Sequence, residues 1–407
     1  MAKLRFALRK FTPFEKALEE CFADYKKLNP QAPDIEFVAM DLEELYDALF
    51  EQKGLQNGDW DIVHINTDWI SQAHHMNGLT PLNSFLERKP IEGGTESWAE
   101  SLMDLQRFDG MLYGLPFHDG PECLVYRRDL FDDIQLQEEY ASRYGKPLNP
   151  PTTWDEFLSV AEFFTRPEQQ LYGSVFAGYP DGHNAVFDFC IQLWSRGGAL
   201  VNSFGDIVID QPIAIEALDF YRSLFKSKRY LHPNSSSYES VAAGDAFARG
   251  EVAMMVNWFG FASWAHIDNQ SAVKGRVDVT SIPTSKGGAS ASLNVYWLYA
   301  LAAGSTQKDV AYDFLQFAVN AHNDKKLTLA GGVGCRYSTW EDREINELIP
   351  FYSKLAELHH GAQTLPRTRN WSQIAHHIDL MVGQAIASNE ESSALLARAQ
   401  QTINELK

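Results

Sequence analysis

The sequence predicts an α/β fold in which strands and helices alternate around a parallel sheet, with more than one folding unit. Three observations predict it. The first 65 or so residues read β-α-β-α-β, the signature of a parallel sheet covered by helices. Two segments, Thr12-Pro13-Phe14-Glu15 and Thr153-Trp154-Asp155-Glu156, carry the pattern in which a hydroxyl and a carboxylate satisfy the free amides at a helix start. The chain has 407 residues, and at roughly 150 residues per domain that suggests two or three units, each able to bury a core.

Residues 4–8 alternate as a strand. A helix follows from Thr12, with Pro13 at its first turn and Phe14, Ala17, Leu18, Cys21, Phe22, Tyr25 and Leu28 at helical spacing, until Asn29-Pro30 stops it. Residues 35–38 form a second strand, 42–50 a helix and 60–65 a buried third strand. In such sheets ligands sit beyond the carboxyl ends of the strands, which singles out Arg9-Lys10-Phe11 and Asn66-Thr67-Asp68-Trp69. From about Phe117 the character changes. A short strand at 123–126 precedes a Pro-rich break at 147–151, and helices then dominate at 154–164, 186–196, 212–225 and 240–249. A connector at 281–288 leads to a strong strand at 295–302 and a helix at 306–320. The cluster Gly331-Gly332-Val333-Gly334 marks another crossing before the C-terminal helices.

Charge and composition exclude several functions. Lys and Arg number 35 against 54 Asp and Glu, a net charge of −19, and no basic block appears. That argues against nucleic acid and against anionic lipid surfaces as partners. The longest nearly uninterrupted apolar stretch, 296–303, is far short of the roughly 20 residues that span a bilayer, so a soluble protein is expected. The N-terminus, Met1-Ala2-Lys3-Leu4-Arg5-Phe6, alternates like a strand and lacks the apolar core of a signal peptide. Either the protein is cytosolic, or a signal was removed and a start Met added. Cys21, Cys123, Cys190 and Cys335 are scattered without metal-like spacing and are expected to be free, buried fillers. In the pairs His74-His75, His359-His360 and His376-His377, neighbours on a helix point about 100° apart, a poor chelating geometry, so no metal is expected. No nucleotide, nucleophile-elbow or zinc-protease motif occurs, and no cofactor is expected.

Several separated segments, taken in order, resemble the extracellular solute-binding proteins of sugar-type ABC importers, the family that includes maltose-binding proteins. They are Trp60-Asp61-Ile62-Val63 through Asp68-Trp69 to Gly78-Leu79-Thr80-Pro81-Leu82; Asp109-Gly110-Met111-Leu112-Tyr113-Gly114-Leu115-Pro116, continuing to Tyr126-Arg127-Arg128-Asp129-Leu130-Phe131; Thr153-Trp154-Asp155-Glu156-Phe157; and Ala246-Phe247-Ala248-Arg249-Gly250-Glu251-Val252-Ala253-Met254, leading into Val256-Asn257-Trp258. The resemblance runs through nearly the whole chain. It implies the two-lobed α/β periplasmic-binding-protein fold, the lobes joined by a hinge with a ligand cleft between them. Crossings at 117–120, 283–288 and 333–338 would place residues 1–117 and 289–333 in an N-terminal lobe, and 118–288 and 334–407 in a C-terminal lobe.

The implied ligand is a carbohydrate or polyol, bound by hinge closure and delivered to the membrane permease subunits of an importer. The implied protein is a monomer, periplasmic or lipid-anchored outside the cell. Such a ligand needs hydrogen-bonding groups of both senses for its hydroxyls and flat rings for its C–H faces. The resemblance offers Asn66, Asp68 and Trp69 after the third strand; His118, Asp119 and Glu122 past the first crossing; Asn257 and Trp258 after the 253–256 strand; and Trp297, Arg336 and Trp371 near the returns. The family's usual Gly-Pro-Trp is here Trp258-Phe259-Gly260. Arg9, Lys10 and Arg336 leave room for an anionic sugar derivative. The alternative is a carbohydrate-active enzyme, a glycosidase or lyase, using an Asp/Glu pair in a cleft, although Asp119 and Glu122 are only three residues apart on one segment. A module that feeds a chemosensory receptor is a third reading.

Overall fold

A computed structural model of the chain describes residues 3–285 and 287–406; residue 286 of the 281–288 connector lies outside the described residues, as do residues 1, 2 and 407. Two main sheets are built, among the described residues, from nine strands in chain order: β1 (Leu4–Arg9), β2 (Ile35–Met40), β3 (Ile62–Asn66), β4 (Leu115–His118), β5 (Glu122–Arg127), β6 (Tyr172–Val175), β7 (Val252–Trp258), β8 (Val277–Thr280) and β9 (Trp297–Leu301). The chain divides into two compact units. One comprises Met1–Gly120, Val295–Ser353 and Arg367–Trp371, the other Pro121–Asn294, Lys354–Pro366 and Ser372–Lys407.

The first unit is organised by a five-stranded sheet of order β2-β1-β3-β9-β4. β1 runs parallel to β2 and β3, whereas β9, arriving some two hundred residues later, inserts antiparallel between β3 and β4. Every residue of β3 is buried, as expected of a strand covered on both faces. Pro116, which lacks an N–H, is tolerated because β4 lies at the sheet edge. The helix Thr12–Leu28 turns Phe14, Ala17, Leu18, Cys21 and Tyr25 inward, as its spacing predicts. Its start differs from expectation: Thr12 is already helical, Phe11 holds the cap position, and no side chain caps it. The Thr153–Glu156 capping box does form, and so does one between Asp41 and Glu44 that the sequence did not single out. The expected 42–50 helix is α-helical only over Leu42–Tyr46 and continues as a wider π turn, Asp47–Glu51.

Residues 334–353 belong to this first unit, a correction to the expected boundary at 333. Asp324 explains why. Its buried carboxylate accepts the amides of Cys335 (2.9 Å) and Arg336 (3.1 Å) and the hydroxyl of Thr339 (2.6 Å). The Tyr352 and Thr328 hydroxyls, 3.1 Å apart, both meet the Gly334 amide. Five donor or acceptor groups thus tie 334–352 to the helix Ala321–Leu329.

The second unit carries the order β8-β5-β7-β6. β5 pairs antiparallel with β7 and β8, and β6 runs parallel to β7. Residues 289–294, expected in the N-terminal lobe, stay here: Ser292–Leu293 pairs with Ala362–Gln363, and the Ser292 hydroxyl donates to the Glu122 carbonyl. All four cysteines are free and buried. Among the described residues, no helix is long and apolar enough to cross a membrane.

Asp324→Ala should cost about 3 kcal/mol, because it leaves three buried donors unpaired. Urea unfolding checks this, and a loss below about 1 kcal/mol would mean that the 334–352 attachment does not depend on this carboxylate.

Candidate functional site

In the first unit the candidate residues gather at one edge of the sheet. Trp297, the first residue of β9, stands in register with Asn66 on one side and His118 on the other. Asn66 and His118 close β3 and β4, so three candidates from segments far apart in sequence form one row. A register irregularity between Trp297 and Leu298 interrupts the pairing with β4 at that point, a device that re-aims a side chain. Lys10 lies exposed just beyond the carboxyl end of β1, its amide bonded to the Met40 carbonyl (2.6 Å). Asp68 and Trp69 follow β3 directly, and Asp119 follows β4 with its amide on the Val333 carbonyl (3.2 Å). Gly120, where the chain leaves this unit, has φ +128°, a conformation glycine alone adopts without strain.

The ring of Trp297 is partly exposed and rests on a buried aromatic layer. Trp69 meets it edge-on at 5.7 Å, backed by Tyr46 and Phe50. Trp69, expected to touch ligand, is 2% exposed and instead supports Trp297. His118 is held in one tautomer: its Nδ1 accepts the Val333 amide hydrogen (2.9 Å), so the neutral ring carries its proton on Nε2 and presents an N–H donor. Burial pushes its pKa down to about 4, against a smaller opposing pull from Asp119. Behind it His64, wholly buried among Phe6, Phe117 and Tyr299, accepts the Arg9 amide on Nδ1 (3.3 Å).

In the second unit a corresponding edge forms where β5 begins and β7 ends. Glu122 pairs with Trp258, and Cys123 with Asn257. Trp258 is half-buried, with its ring edge-on to Phe187 (5.9 Å). Asn257 does not present a free amide: its Nδ2 donates to the Ser240 carbonyl (3.0 Å) and its Oδ1 accepts the Trp258 amide (2.8 Å). It positions Trp258 rather than offering its own groups.

Arg336 is turned into its own unit. It is 2% exposed, its Nε donates to the Val319 carbonyl (3.0 Å), its Nη1 and Nη2 both donate to the Glu92 carbonyl, and its guanidinium lies over the Trp98 ring at 4.6 Å. These contacts are internal to the first unit, so a basic contact for an anionic ligand is not available from Arg336. Trp371, 1% exposed, offers no open stacking face. Among the described residues, no group of three or more His, Cys, Asp or Glu could hold a metal, and His74 stacks on Phe108 at 4.0 Å.

Several residues at the second unit's edge escaped the sequence reading. The loop after β6 runs through exposed Tyr179 to Asp181, Gly182 and His183, and leads into the helix Asn184–Trp194. Asp181 accepts the amides of His183 (2.9 Å) and Asn184 (3.2 Å), while Asp379, from the helix Trp371–Ala387, accepts the Gly182 amide (3.3 Å). Burial, with the charge of Asp181, pushes Asp379 up to about 6. The only local signal was the turn-rich run Gly178-Tyr179-Pro180-Asp181-Gly182 after a four-residue strand too short to stand out.

With this geometry in place, comparison with known proteins decides the family. The family model described as bacterial extracellular solute-binding protein matches residues 10–325. The chain belongs to the bacterial extracellular solute-binding proteins. Among relatives in this family, a mannitol-binding protein of Pseudomonas aeruginosa is 25% identical over 405 residues, covering 92% of this chain and 87% of that protein. A probable ABC transporter-binding protein of Deinococcus radiodurans is 24% identical over 330 residues, covering 79% and 73%. The fold matches that of maltose-bound MalE3 from T. maritima with a TM-score of 0.88 at 21% identity, each chain covered fully. It also matches a ribitol complex of a solute-binding protein from Agrobacterium radiobacter with a TM-score of 0.87 at 23% identity, covering 100% and 99%. The expected two-lobed periplasmic-binding-protein fold is therefore the fold of this chain.

His118 yields a prediction with a definite sign. Its folded pKa lies below the unfolded value, so below about pH 6.5 the unfolded chain binds a proton that the native state refuses. Stability then falls with acid down to about pH 4. His118→Asn keeps an acceptor for the Val333 amide and should remove up to about 1.4 kcal/mol per pH unit of that slope. Urea unfolding at several pH values measures it, and an unchanged slope would contradict the neutral-tautomer assignment.

Proposed function

We propose that this chain is the substrate-binding component of an ABC importer, working outside the cytoplasmic membrane as a monomer, with a sugar or polyol as its solute and the permease subunits as its partner. The observation that carries this reading is the row Asn66–Trp297–His118, a partly exposed ring between an amide and an imidazole that carries an N–H, at the sheet edge that the buried Asp68 and Asp119 follow. A polyol needs this combination of donors, carboxylate acceptors and apolar ring. The second unit supplies Glu122 and Trp258 at its own edge, with Asp181 and His183 in the loop after β6. The solutes of two relatives point the same way: mannitol for the Pseudomonas aeruginosa protein and ribitol for the Agrobacterium radiobacter complex.

Each edge by itself offers such a solute an aromatic ring beside hydrogen-bonding groups. Lys10 remains available at the first edge, but with Arg336 tied up internally the balance favours a neutral solute over a sugar acid. No turnover is proposed, because nothing in the pairing of Asp119 and Glu122 sets two carboxyls on opposite sides of a bond.

A thermal-shift screen of hexitols, pentitols, mono- and disaccharides and sugar acids tests this. A bound neutral solute raises the melting temperature, and continues to raise it as its concentration climbs above Kd. By calorimetry, Trp258→Ala and Trp297→Ala should each weaken the best ligand more than about tenfold while leaving the fold intact. Unchanged affinity in both would remove these rings from the site, and products from an incubated oligosaccharide would favour an enzyme instead.

A further inference from the structure

Glu122 opens β5 at the second unit's edge. Its backbone is fixed, since its carbonyl accepts the Ser292 hydroxyl and its strand register sets it opposite Trp258. Its side chain is 3% exposed, and Oε2 is enclosed with no hydrogen-bond partner. A bare carboxylate in that position would be an uncompensated buried charge, which proteins avoid by pairing or by protonation.

Pairing is not what the surroundings provide. The helix Asn184–Trp194 carries Asp188, which acts on Glu122 as a like charge; Asp188 is itself buried, accepting the Tyr221 hydroxyl at 2.7 Å from the helix Pro212–Lys226. Cys190 on the same helix and Cys123 on β5 feel Glu122 as a like charge. Tyr221 in turn faces Asp379 on the helix Trp371–Ala387, and Asp181 faces Asp188 from the loop after β6. His183 acts on Asp379. Lys354 acts on Cys123 and is already paired with Asp278 at 2.6 Å. On β7 the opposite residues, Asn257 and Trp258, are uncharged. Burial, followed by the charge of Asp188, accordingly holds Glu122 well above the ordinary carboxyl range, and burial pushes Asp188 up to about 8.

We propose that Glu122 meets the solute as a neutral carboxylic acid, and that solute binding is linked to the proton it carries. This rests on the reading of the chain as a sugar- or polyol-binding protein and deepens it. A carboxylic acid offers one O–H donor and one carbonyl acceptor side by side, which matches a solute hydroxyl that accepts and donates at once. Loss of the proton to solvent removes the donor and leaves a charge next to Asp188. Binding therefore weakens as pH rises through the titration of the Glu122–Asp188 pair, which is shared between the two groups.

Two measurements test this. In the solute-free protein at pH 7, the infrared spectrum should contain the carbonyl band of a buried protonated carboxylic acid that is lost in Glu122→Gln; absence of that difference overturns the proposal whether or not any sugar binds. Affinity for the best polyol from the screen, or for mannitol as probe, is then followed by calorimetry from pH 6 to pH 10. The wild type should lose up to about tenfold per pH unit above the transition. Glu122→Gln, which stays neutral and keeps the shape, should bind with little pH dependence, and Asp188→Asn should move the transition to lower pH. Equal pH slopes in wild type and Glu122→Gln overturn the linkage. If the infrared band is present and no sugar or polyol binds, the functional reading fails while the protonated acid stands.

Discussion

The insertion of β9 between β3 and β4 is the constraint on which the first unit depends. A strand from the far side of the second unit's sequence completes a sheet begun in the first 66 residues, and its antiparallel entry puts Trp297 in register with Asn66 and His118. Without it, β3 and β4 would lack the partner that makes them neighbours but one. The polar row at the sheet edge would not exist. The same insertion makes the first unit discontinuous, because the chain must complete Pro121–Asn294 before it returns. The architecture and the candidate site therefore follow from one pairing.

A second theme is how buried polar groups are used up. Asp324, Arg336 and Asn257 each sit deep in their units with their hydrogen-bonding capacity directed inward, and each fixes a piece of backbone: 334–339, the carbonyls of Val319 and Glu92, and the Ser240–Trp258 link. His118 is different. One nitrogen is committed to Val333, and that commitment decides what the other nitrogen can offer. Glu122 differs again, with its backbone committed and a carboxyl oxygen enclosed but unpartnered. Groups of the first kind hold the fold, and groups of the second and third kinds are what a solute could use.

This distinction also explains what could be read from the sequence. The alternating elements, the inward face of the Thr12–Leu28 helix, the Thr153 capping box and the sheet-end location of Asn66 and Asp68 are local or periodic features, and they were legible. The state of a side chain was not, because its partners lie far along the chain. Arg336 is bonded to a carbonyl 244 residues away, and Asp379 meets an amide 197 residues away. A cleft-facing arginine and a structural one look alike in sequence. Trp69 and Trp297 likewise differ only in which ring lies on top of the other, and β6 with its acidic loop was too short to mark itself. The late boundaries at 294 and 353 were missed for the same reason, since pairing of Ser292 with Ala362 and of Tyr352 with Thr328 has no local signature.

The central proposal is that the sheet edges described for each unit are where a small polyhydroxylated solute binds. Hydrogen–deuterium exchange, with and without a saturating polyol or sugar, measures that most directly. The account predicts slowed exchange at residues 66–70 and 118–120 in the first unit and at 178–184 and 257–260 in the second, at the same solute concentration. Protection confined to one unit, or a pattern away from both edges, would contradict it.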